Sequence, residues 1–286
     1  MHTPTDVTER AIAAYEKAGA DCVVAIGGGS AIGLGKAIAV RTGADQVAIP
    51  TTYAGSEMTD ILGETEQGRK TTRRDPSIQP ETVIYDVTLT LGLPTGVSIV
   101  SGLNAMAHAA EGLYAVDRHP LITLMATDAL RRFRAALPAI ARDPGDIGGR
   151  TEALHAAWLC GAVLGGASMA LHHKLCHVLG GSFNLPHAET HAVMLPHTVG
   201  FNAHAAAAQL APLAEIFGGS PGQVLQDFSR SLMAPAALRD LGLAETDLDR
   251  AAGIAVQAPY PNPRPIERVA IRALLQDAWA GNRPPA

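Results

Sequence analysis

Short apolar runs alternate with helix-like spacing along the N-terminal third of the chain. An Ala-rich helical pattern covers residues 6–18 and stops at Gly19, and a second helical pattern covers residues 31–40. Three apolar runs have the length and content of short buried strands: residues 22–26, 47–49 and 83–85. Helices that alternate with short apolar strands predict an α/β layer around a parallel sheet.

The pattern changes after Pro94, and from Gly102 onward it is helical with no predicted strand. The predicted helices cover residues 102–116, 120–141, 151–167, 168–180, 190–203, 205–217, 221–232 and 265–280. We therefore predict an α/β domain over residues 1–96 and an all-helical domain over residues 97–286. A cleft between two such parts is a common place for a ligand.

Composition narrows the class of protein without choosing a function. The 286 residues suit two domains or one large α/β unit, and a net charge of −5 without a Lys/Arg cluster argues against a nucleic-acid partner. Cys22, Cys160 and Cys176 stand apart, so no C-x-x-C metal or redox motif is present. We find no signal-like segment and no apolar run of membrane-spanning length. We expect a cytoplasmic protein with reduced thiols.

A glycine-rich turn follows the first predicted strand directly. Gly27, Gly28, Gly29 and Ser30 stand between this strand and a helix that carries Lys36. Glycines let the backbone approach a pyrophosphate, and the helix N-terminus offers unpaired N–H groups. An ordinary tight turn between a strand and a helix has similar sequences, so the loop alone leaves both interpretations open.

A second polar loop follows the next predicted strand. It runs from Pro50 to Glu57 and includes Thr51, Thr52 and Tyr53. The carboxyl ends of parallel strands share one edge of the sheet, which is where ligands bind in such folds. A polar surface loop is the alternative for this segment by itself. Two such loops on neighbouring strands favour a bound dinucleotide.

The helical half carries histidines at helical spacing. Asn104 and His108 are four residues apart on one predicted helix, as are His173 and His177 on another. His187 follows shortly afterwards. The alternative to a role in a site is that a histidine only packs in the core or caps a helix. We assign that alternative to four other histidines: His119, His155, His172 and His204.

Asn104 argues against a working metal centre in this set. Three histidines and an acid would suit a metal ion with an open position. An amide oxygen is a weaker ligand than a carboxylate and supplies no negative charge. We therefore expect a degenerate metal site at Asn104, His108, His173 and His187, and imidazoles that donate hydrogen bonds to an anionic keto acid.

These motifs together resemble the iron-containing alcohol dehydrogenase superfamily. Its cofactor loop is similar to Gly27–Ser30 with Lys36, although Gly33 stands where that family has an acid. Its metal ligands correspond to His108, His173 and His187, with Asn104 in place of an aspartate. Within the superfamily, several runs look like the maleylacetate reductases: residues 50–59, 101–105, 171–181, 184–191 and 259–265.

The resemblance implies a fold and a reaction. The fold is a parallel, Rossmann-like α/β part followed by an all-α domain. The reaction is reduction of maleylacetate, a small dicarboxylate, to 3-oxoadipate with NADH or NADPH during the degradation of aromatic compounds, and no metal is required. It also implies a homodimer that binds neither membranes nor nucleic acids.

The resemblance further suggests roles for individual side chains. His177 and His187 become the leading hydrogen-bond donors to the ketone oxygen, and Tyr260 becomes a third polar contact. His108 and His173 help to hold carboxylates, with Lys174 and Arg264 as weaker candidates for the same task. The cofactor-binding set is Gly27, Gly28, Gly29, Ser30, Lys36, Thr51, Thr52 and Tyr53.

The chain differs from this family at its start. Members have additional strand–helix units before the strand at residues 22–26, so we expect an incomplete sheet with exposed apolar surface and weak cofactor binding. Three alternatives stay open: a metal-dependent alcohol or polyol dehydrogenase of the same superfamily, an inactive truncated remnant and, more distantly, a metal-dependent hydrolase.

Overall fold

The computed structural model describes residues 3–66 and 69–286. Its N-terminal part contains two small sheets and two helices. The strands are β1 (Thr3–Pro4), β2 (Cys22–Gly27), β3 (Asp45–Pro50), β4 (Ile61–Glu66), β5 (Arg69–Arg74) and β6 (Thr82–Val83), and the helices are α1 (Thr5–Ala18) and α2 (Gly29–Thr42). The three predicted strands and both predicted helices of this part are therefore confirmed.

The sheet that carries the glycine turn is parallel, as predicted. Its order is β2–β3–β6, and Gly27 at the end of β2 lies opposite Pro50 at the end of β3. The second sheet has the order β1–β4–β5, in which β4 and β5 form an antiparallel hairpin. The sequence did not predict β1, β4 and β5, because β1 has only two residues, β5 is entirely polar, and β4 has only Ile61 and Leu62 as apolar residues.

The prediction that residues 22–26 form a buried strand is wrong with respect to burial. Val24 is 53% exposed and Ile26 is 57% exposed. Within the described part of the chain, β2 pairs only with β3, so its other edge carries no strand. The sheet therefore has the exposed apolar surface that the sequence led us to expect.

The helical part follows from Thr95. Its helices are α3 (Thr95–Tyr114), α4 (Pro120–Arg142), α5 (Ile147–Gly166), α6 (Leu171–Ser182), α7 (His187–Asn202), α8 (Ala207–Phe217), α9 (Pro221–Ser231), α10 (Leu248–Ala255) and α11 (Arg268–Ala280). All eight predicted helices are present, but α10 was not predicted. The described residues after Pro94 contain no strand.

Helices α3, α5 and α7 begin earlier than predicted, at Thr95, Ile147 and His187 rather than at residues 102, 151 and 190. Helix α5 begins at Ile147, where the Asp146 carboxylate accepts a hydrogen bond from the Gly149 amide at 3.1 Å. Helix α7 begins at His187, directly after Pro186. The early start of α7 places His187 in its first turn.

The hydrophobic core lies mainly among the helices. One cluster is built around α3, α4 and α5, and a second around α6, α7, α10 and α11. Tyr53 from the α/β part packs into the first cluster. The division into domains at residues 96 and 97 stays a prediction, although the change in secondary structure falls close to it.

The helices were also compared with the dimensions of a membrane span. Among the described residues, no single helix is both long and apolar enough to cross a bilayer. Helices α5 and α6 reach that length and hydropathy only when taken together, and they are bent by 95° relative to each other.

Candidate active site

The glycine turn has a backbone shape that side chains would obstruct. Gly27 has a φ of 147°, and a Cβ atom on it would lie 2.8 Å from the Cβ of Ala31. Gly28 precedes the first residue of α2, and no side chain caps that helix. The N–H groups of its first turn are therefore directed at the turn, in the geometry that suits a phosphate.

The loop after β3 lies against this turn, as the parallel sheet predicts. The Thr51 amide donates a hydrogen bond to the Gly27 carbonyl at 3.0 Å. A Cβ atom on Gly28 would lie only 3.0 Å from the Cγ2 of Thr52. The two predicted cofactor loops are thus brought together.

Tyr53 belongs to this loop but faces the helical core. It is fully buried, and its hydroxyl accepts a hydrogen bond from Arg150 Nη1 at 3.3 Å. The Tyr53 amide donates to Ser101 Oγ at 3.0 Å. Tyr53 therefore fixes the loop to α3 and α5, which differs from the direct cofactor contact that the sequence predicts.

Lys36 is also directed into the protein. Its buried Nζ donates to the carbonyl oxygens of Ser56, Thr59 and Ile61 at 2.5, 2.7 and 3.1 Å, and to Thr59 Oγ1 at 3.0 Å. Burial lowers the pKa of the amine to about 7, against the raising effect of the carboxylates of Glu57 and Asp60. Lys36 thus holds the segment before β4, and this arrangement replaces the cofactor contact predicted for it.

A cavity of about 300 Å³ connects the glycine turn with the histidines. We call it the central cavity. Its α/β wall includes Gly29, Gly33, Ser56, Thr59 and Arg74. Its helical wall includes Asn104, His108, Leu164, Met169, His173, His177, His187 and His191. The same cavity is therefore lined by Gly29 of the predicted phosphate-binding turn and by all five residues of the predicted Asn/His set.

A buried carboxylate organises two of these histidines. Glu111 Oε2 accepts a hydrogen bond from His173 Nδ1 at 2.6 Å, and His173 Nε2 lies 2.8 Å from His108 Nδ1. His108 Nε2 lies 3.3 Å from the carbonyl oxygen of Ala54. The Glu111 carboxylate at one end of this row and the Ala54 carbonyl at the other are both acceptors. The three hydrogen bonds of the row therefore require three protons on the imidazole nitrogens. Two neutral imidazoles carry only two, so one of the three contacts lacks a proton while both rings are neutral. Burial, followed by the neighbouring His173, lowers the pKa of His108 well below its usual value, which favours the neutral pair.

The Glu111 carboxylate beside this pair is ionised. Burial raises the pKa of this carboxyl, but the hydrogen bond and charge of His173, together with backbone amides, hold it at about 2. The amides of Ala170 and His172 donate to it at 2.9 and 2.8 Å. A buried carboxylate with several donors stays ionised and fixes the rings that it contacts.

His172 and His191 form a second layer behind this pair. The sequence analysis treated His172 as a packing residue, and it is fully buried. Its Nε2 lies 2.9 Å from His191 Nδ1, and its Nδ1 lies 2.9 Å from Thr198 Oγ1. The ring centroids of His191 and His187 are 4.3 Å apart. His191 therefore connects the second layer with the cavity.

Three of the weaker predictions lie away from this cavity wall. Tyr260 is not among the described residues that line the cavity, and its buried hydroxyl has no hydrogen-bond partner within the described structure. Lys174 Nζ lies 5.8 Å from the Tyr260 ring centroid, and the Arg264 guanidinium stacks at 4.0 Å on Phe201. The structure does not bring these three side chains into the wall that the histidines form.

Sequence comparison supplies the decisive observation. The model described as "Fe-containing alcohol dehydrogenase family, C-terminal" matches residues 98–279, and "Iron-containing alcohol dehydrogenase" matches residues 1–87. A maleylacetate reductase from Rhizobium sp. (strain MTP-10005) is 60% identical over 99% of this chain and 81% of its own length. One from Burkholderia cepacia is 52% identical over 99% of this chain and 81% of its own length.

The chain belongs to the maleylacetate reductase branch of the iron-containing alcohol dehydrogenase family. The fold agrees with this assignment. The crystal structure of maleylacetate reductase from Agrobacterium tumefaciens matches with a TM-score of 0.97 at 60% identity, covering 99% of this chain and 81% of that one.

The side chains at the position of the family's metal do not form an iron site. Asn104 Oδ1 is buried without a hydrogen-bond partner in the described structure, so this oxygen is available to accept a hydrogen bond or to bind a cation. The set Asn104, His108, His173 and His187 contains no anionic ligand, whereas non-haem iron sites typically combine histidines with a carboxylate. Both ring nitrogens of His173 already contact protein groups. The residues do not fit the family's iron, and we derive no step through a metal.

Sequence reasoning missed three residues that border or support the central cavity: Glu111, His191 and Arg74. Glu111 lies seven positions after Asn104, two turns along α3, and this spacing is the signal that could have identified it. His191 lies four positions after His187 on α7 and offers the same kind of signal. Arg74 reaches the cavity through the β4–β5 hairpin, for which the apolar pattern gave no signal.

Proposed function

We propose that this chain reduces maleylacetate to 3-oxoadipate, with NADH or NADPH as the hydride source. The supporting observation is the central cavity, whose wall includes both the first turn of α2 and the imidazoles of α3, α6 and α7. The choice of substrate is supported by the maleylacetate reductases from Rhizobium and Burkholderia cepacia, which are 60% and 52% identical to this chain.

The glycine turn would hold the diphosphate of the cofactor. Gly27 and Gly28 let a phosphate approach the backbone, and the uncapped N-terminus of α2 supplies N–H donors. Thr51 and Thr52 border the same turn, and Ser30 is exposed beside it. When bound, the nicotinamide ring supplies the hydride.

The histidines would stabilise the charge that develops on the substrate. Hydride addition to the alkene carbon remote from the ketone moves the alkene electrons onto the ketone oxygen as an enolate. His177 and His187 line the cavity, and we assign to them the hydrogen bonds that stabilise this oxygen. A proton then adds to the neighbouring carbon, which restores the ketone and completes saturation of the bond.

The carboxylates of the substrate require positive charge in the same space. Glu111 fixes the orientation of the His108–His173 pair, but burial lowers the pKa of His108, so the pair is not the source of this charge. Arg74 is the permanent cation on the described cavity wall, although Asp60 partly neutralises it at 2.9 Å. Apolar side chains such as Leu164 and Met169 exclude water from part of the cavity.

A steady-state assay tests this proposal. The purified chain is given maleylacetate with NADH or NADPH, and oxidation of the cofactor is followed by the loss of its absorbance. We expect stoichiometric formation of 3-oxoadipate, and a large loss of kcat in His187→Asn with retained cofactor binding. An absence of turnover that is restored by additional upstream sequence would instead identify a truncated remnant.

Chelation separates this proposal from a metal-dependent alcohol or polyol dehydrogenase. Because the Asn104 site lacks an anionic ligand, we expect reductase activity to survive prolonged treatment with a strong chelator. Activity that disappears on chelation and returns with iron would favour the metal-dependent enzyme and contradict our proposal.

We further propose that the protein is cytoplasmic and acts as a homodimer. Several large apolar side chains are exposed on the described surface, including Leu121 at 63% and Leu124 at 66%. Exposed apolar surface of this kind is typical of regions that contact another chain. Light scattering coupled to size-exclusion chromatography measures the state directly, and a monomer at micromolar concentration would contradict this proposal.

A further inference from the structure

A buried group of two imidazoles and one thiol lies behind the central cavity. His172 and Cys176 are four residues apart on α6, and His191 faces them from α7. One ligand atom from each of the three lies within 4.8 Å of the others, and all three residues are buried. The proposed reduction assigns no role to the thiol.

The separations match those of a metal-binding group. His172 Nε2 lies 3.6 Å from Cys176 Sγ and 2.9 Å from His191 Nδ1. In a tetrahedral zinc site, bonds of about 2.0 Å to nitrogen and 2.3 Å to sulfur place those two ligand atoms about 3.5 Å apart. The nitrogen–sulfur distance already fits, and the two nitrogens need to separate by about 0.4 Å.

The second nitrogen of His172 is held as in a metal-bound histidine. Thr198 Oγ1 donates to the Met194 carbonyl at 3.0 Å, so it accepts from His172 Nδ1–H at 2.9 Å. This hydrogen bond leaves the His172 Nε2 lone pair directed at the thiol and at His191. A hydrogen bond on the outer nitrogen is the usual way in which proteins orient a metal-ligating imidazole.

Without an ion, the hydrogen bonds of this group are not all satisfied. His172 Nε2 has one lone pair, but His191 Nδ1–H and the Cys176 S–H both point at it. An ion bound to His172 Nε2, His191 Nδ1 and the thiolate removes the competition, because the His191 proton then moves to Nε2.

We propose that His172, Cys176 and His191 form a zinc site that joins α6 to α7 beneath the central cavity. Cysteine sulfur and imidazole nitrogen are ligands that zinc prefers. Binding replaces the S–H bond with a Zn–S bond and releases one proton. The thiolate supplies the negative charge that Asn104 does not, and the Glu111 carboxylate offsets the remaining positive charge.

Cobalt provides a spectroscopic test of the site itself, independent of any activity. The full chain is stripped with a chelator, reduced, and titrated with Co²⁺ under anaerobic conditions. We expect one ion per chain, a thiolate-to-cobalt charge-transfer band in the near ultraviolet, and loss of that band when Zn²⁺ is added. An absence of the band in the unmodified chain would overturn the proposal.

Matched variants locate the ion. Cys176→Ser is expected to abolish the band, whereas Cys160→Ser, which changes a buried cysteine on α5, is expected to keep it. His187→Gln is also expected to keep it. A band that survives Cys176→Ser, or that disappears in His187→Gln, would place the ion elsewhere and overturn the proposal.

X-ray absorption on the zinc-loaded, unmodified chain removes any dependence on how the variants fold. We expect a shell of one sulfur together with imidazole nitrogens. A shell of nitrogen and oxygen alone would contradict the site, and a zinc titration that releases no proton near pH 7 would do the same.

Discussion

His173 donates its Nδ1–H to the Glu111 carboxylate over 2.6 Å, and both groups are buried. This pair connects α3 to α6 and sets the direction of the imidazole that lines the cavity. The arrangement follows the general pattern in which a reactive imidazole is oriented by a carboxylate behind it. Loss of the Glu111 carboxylate should therefore lower activity, although Glu111 is not among the described residues that line the cavity.

Glu111→Gln should lower kcat by roughly 10- to 100-fold, because a neutral amide is a weaker acceptor for His173 Nδ1–H and fixes the imidazole less firmly. Tyr114→Phe is the matched control, since the Tyr114 hydroxyl also donates to Glu111, at 3.3 Å, and Tyr114 is absent from the described cavity wall. Steady-state kinetics on both variants checks the prediction. Equal losses in the two variants would indicate a general packing role.

Gly27→Ala should impair cofactor binding by at least about 10-fold, because its Cβ would collide with Ala31 at 2.8 Å in the turn that meets the phosphates. Gly43→Ala is the control, with a positive φ of 74° and no neighbour within 4 Å of its Cβ. Both variants should lose stability, of order 1 kcal/mol for the control. An NADH fluorescence titration in which both variants bind equally would contradict the prediction.

Arg74→Met should raise the KM for the dicarboxylate by about 10-fold, since a permanent cation on the cavity wall is removed. Arg73→Met is the control, because Arg73 alternates with Arg74 along β5 and is not among the described cavity residues. Initial rates at varied substrate concentration give KM and kcat separately. If Arg73→Met shows the larger effect, the assignment of Arg74 is wrong.

The free energy of unfolding should fall as the pH is lowered from 6.5 to 4, partly because of His197. Burial lowers the pKa of this imidazole to about 4, so between these pH values the unfolded chain binds more protons than the folded one. The difference corresponds to about 3 kcal/mol. Denaturant unfolding at a series of pH values measures it.

Replacement of His197 isolates its contribution to that pH dependence. His197→Gln should reduce the slope, whereas His204→Gln, at an exposed position, should leave it unchanged. Identical slopes in His197→Gln and the unmodified chain would show that other buried groups account for the acid sensitivity.

Local sequence signals predicted much of the architecture. The apolar runs of β2, β3 and β6 and the helical spacing of the second half were sufficient to place most elements, although β2 is exposed in this structure. Strands β4 and β5 were not predicted, since only Ile61 and Leu62 of this hairpin are apolar and they form no alternating pattern. The i,i+4 spacings of Asn104 with His108 and of His173 with His177 also placed those pairs on common helix faces.

The sequence by itself determined the chemical types at the site: a glycine turn without side chains, a set of imidazoles, and an amide in place of an acid at Asn104. Only the tertiary structure decided which groups meet. It directed Lys36 and Tyr53 into the protein and brought Glu111 against His173 and His191 against His172. The reason is that helical spacing fixes the face on which a side chain lies, whereas its partner on another helix depends on how the helices pack.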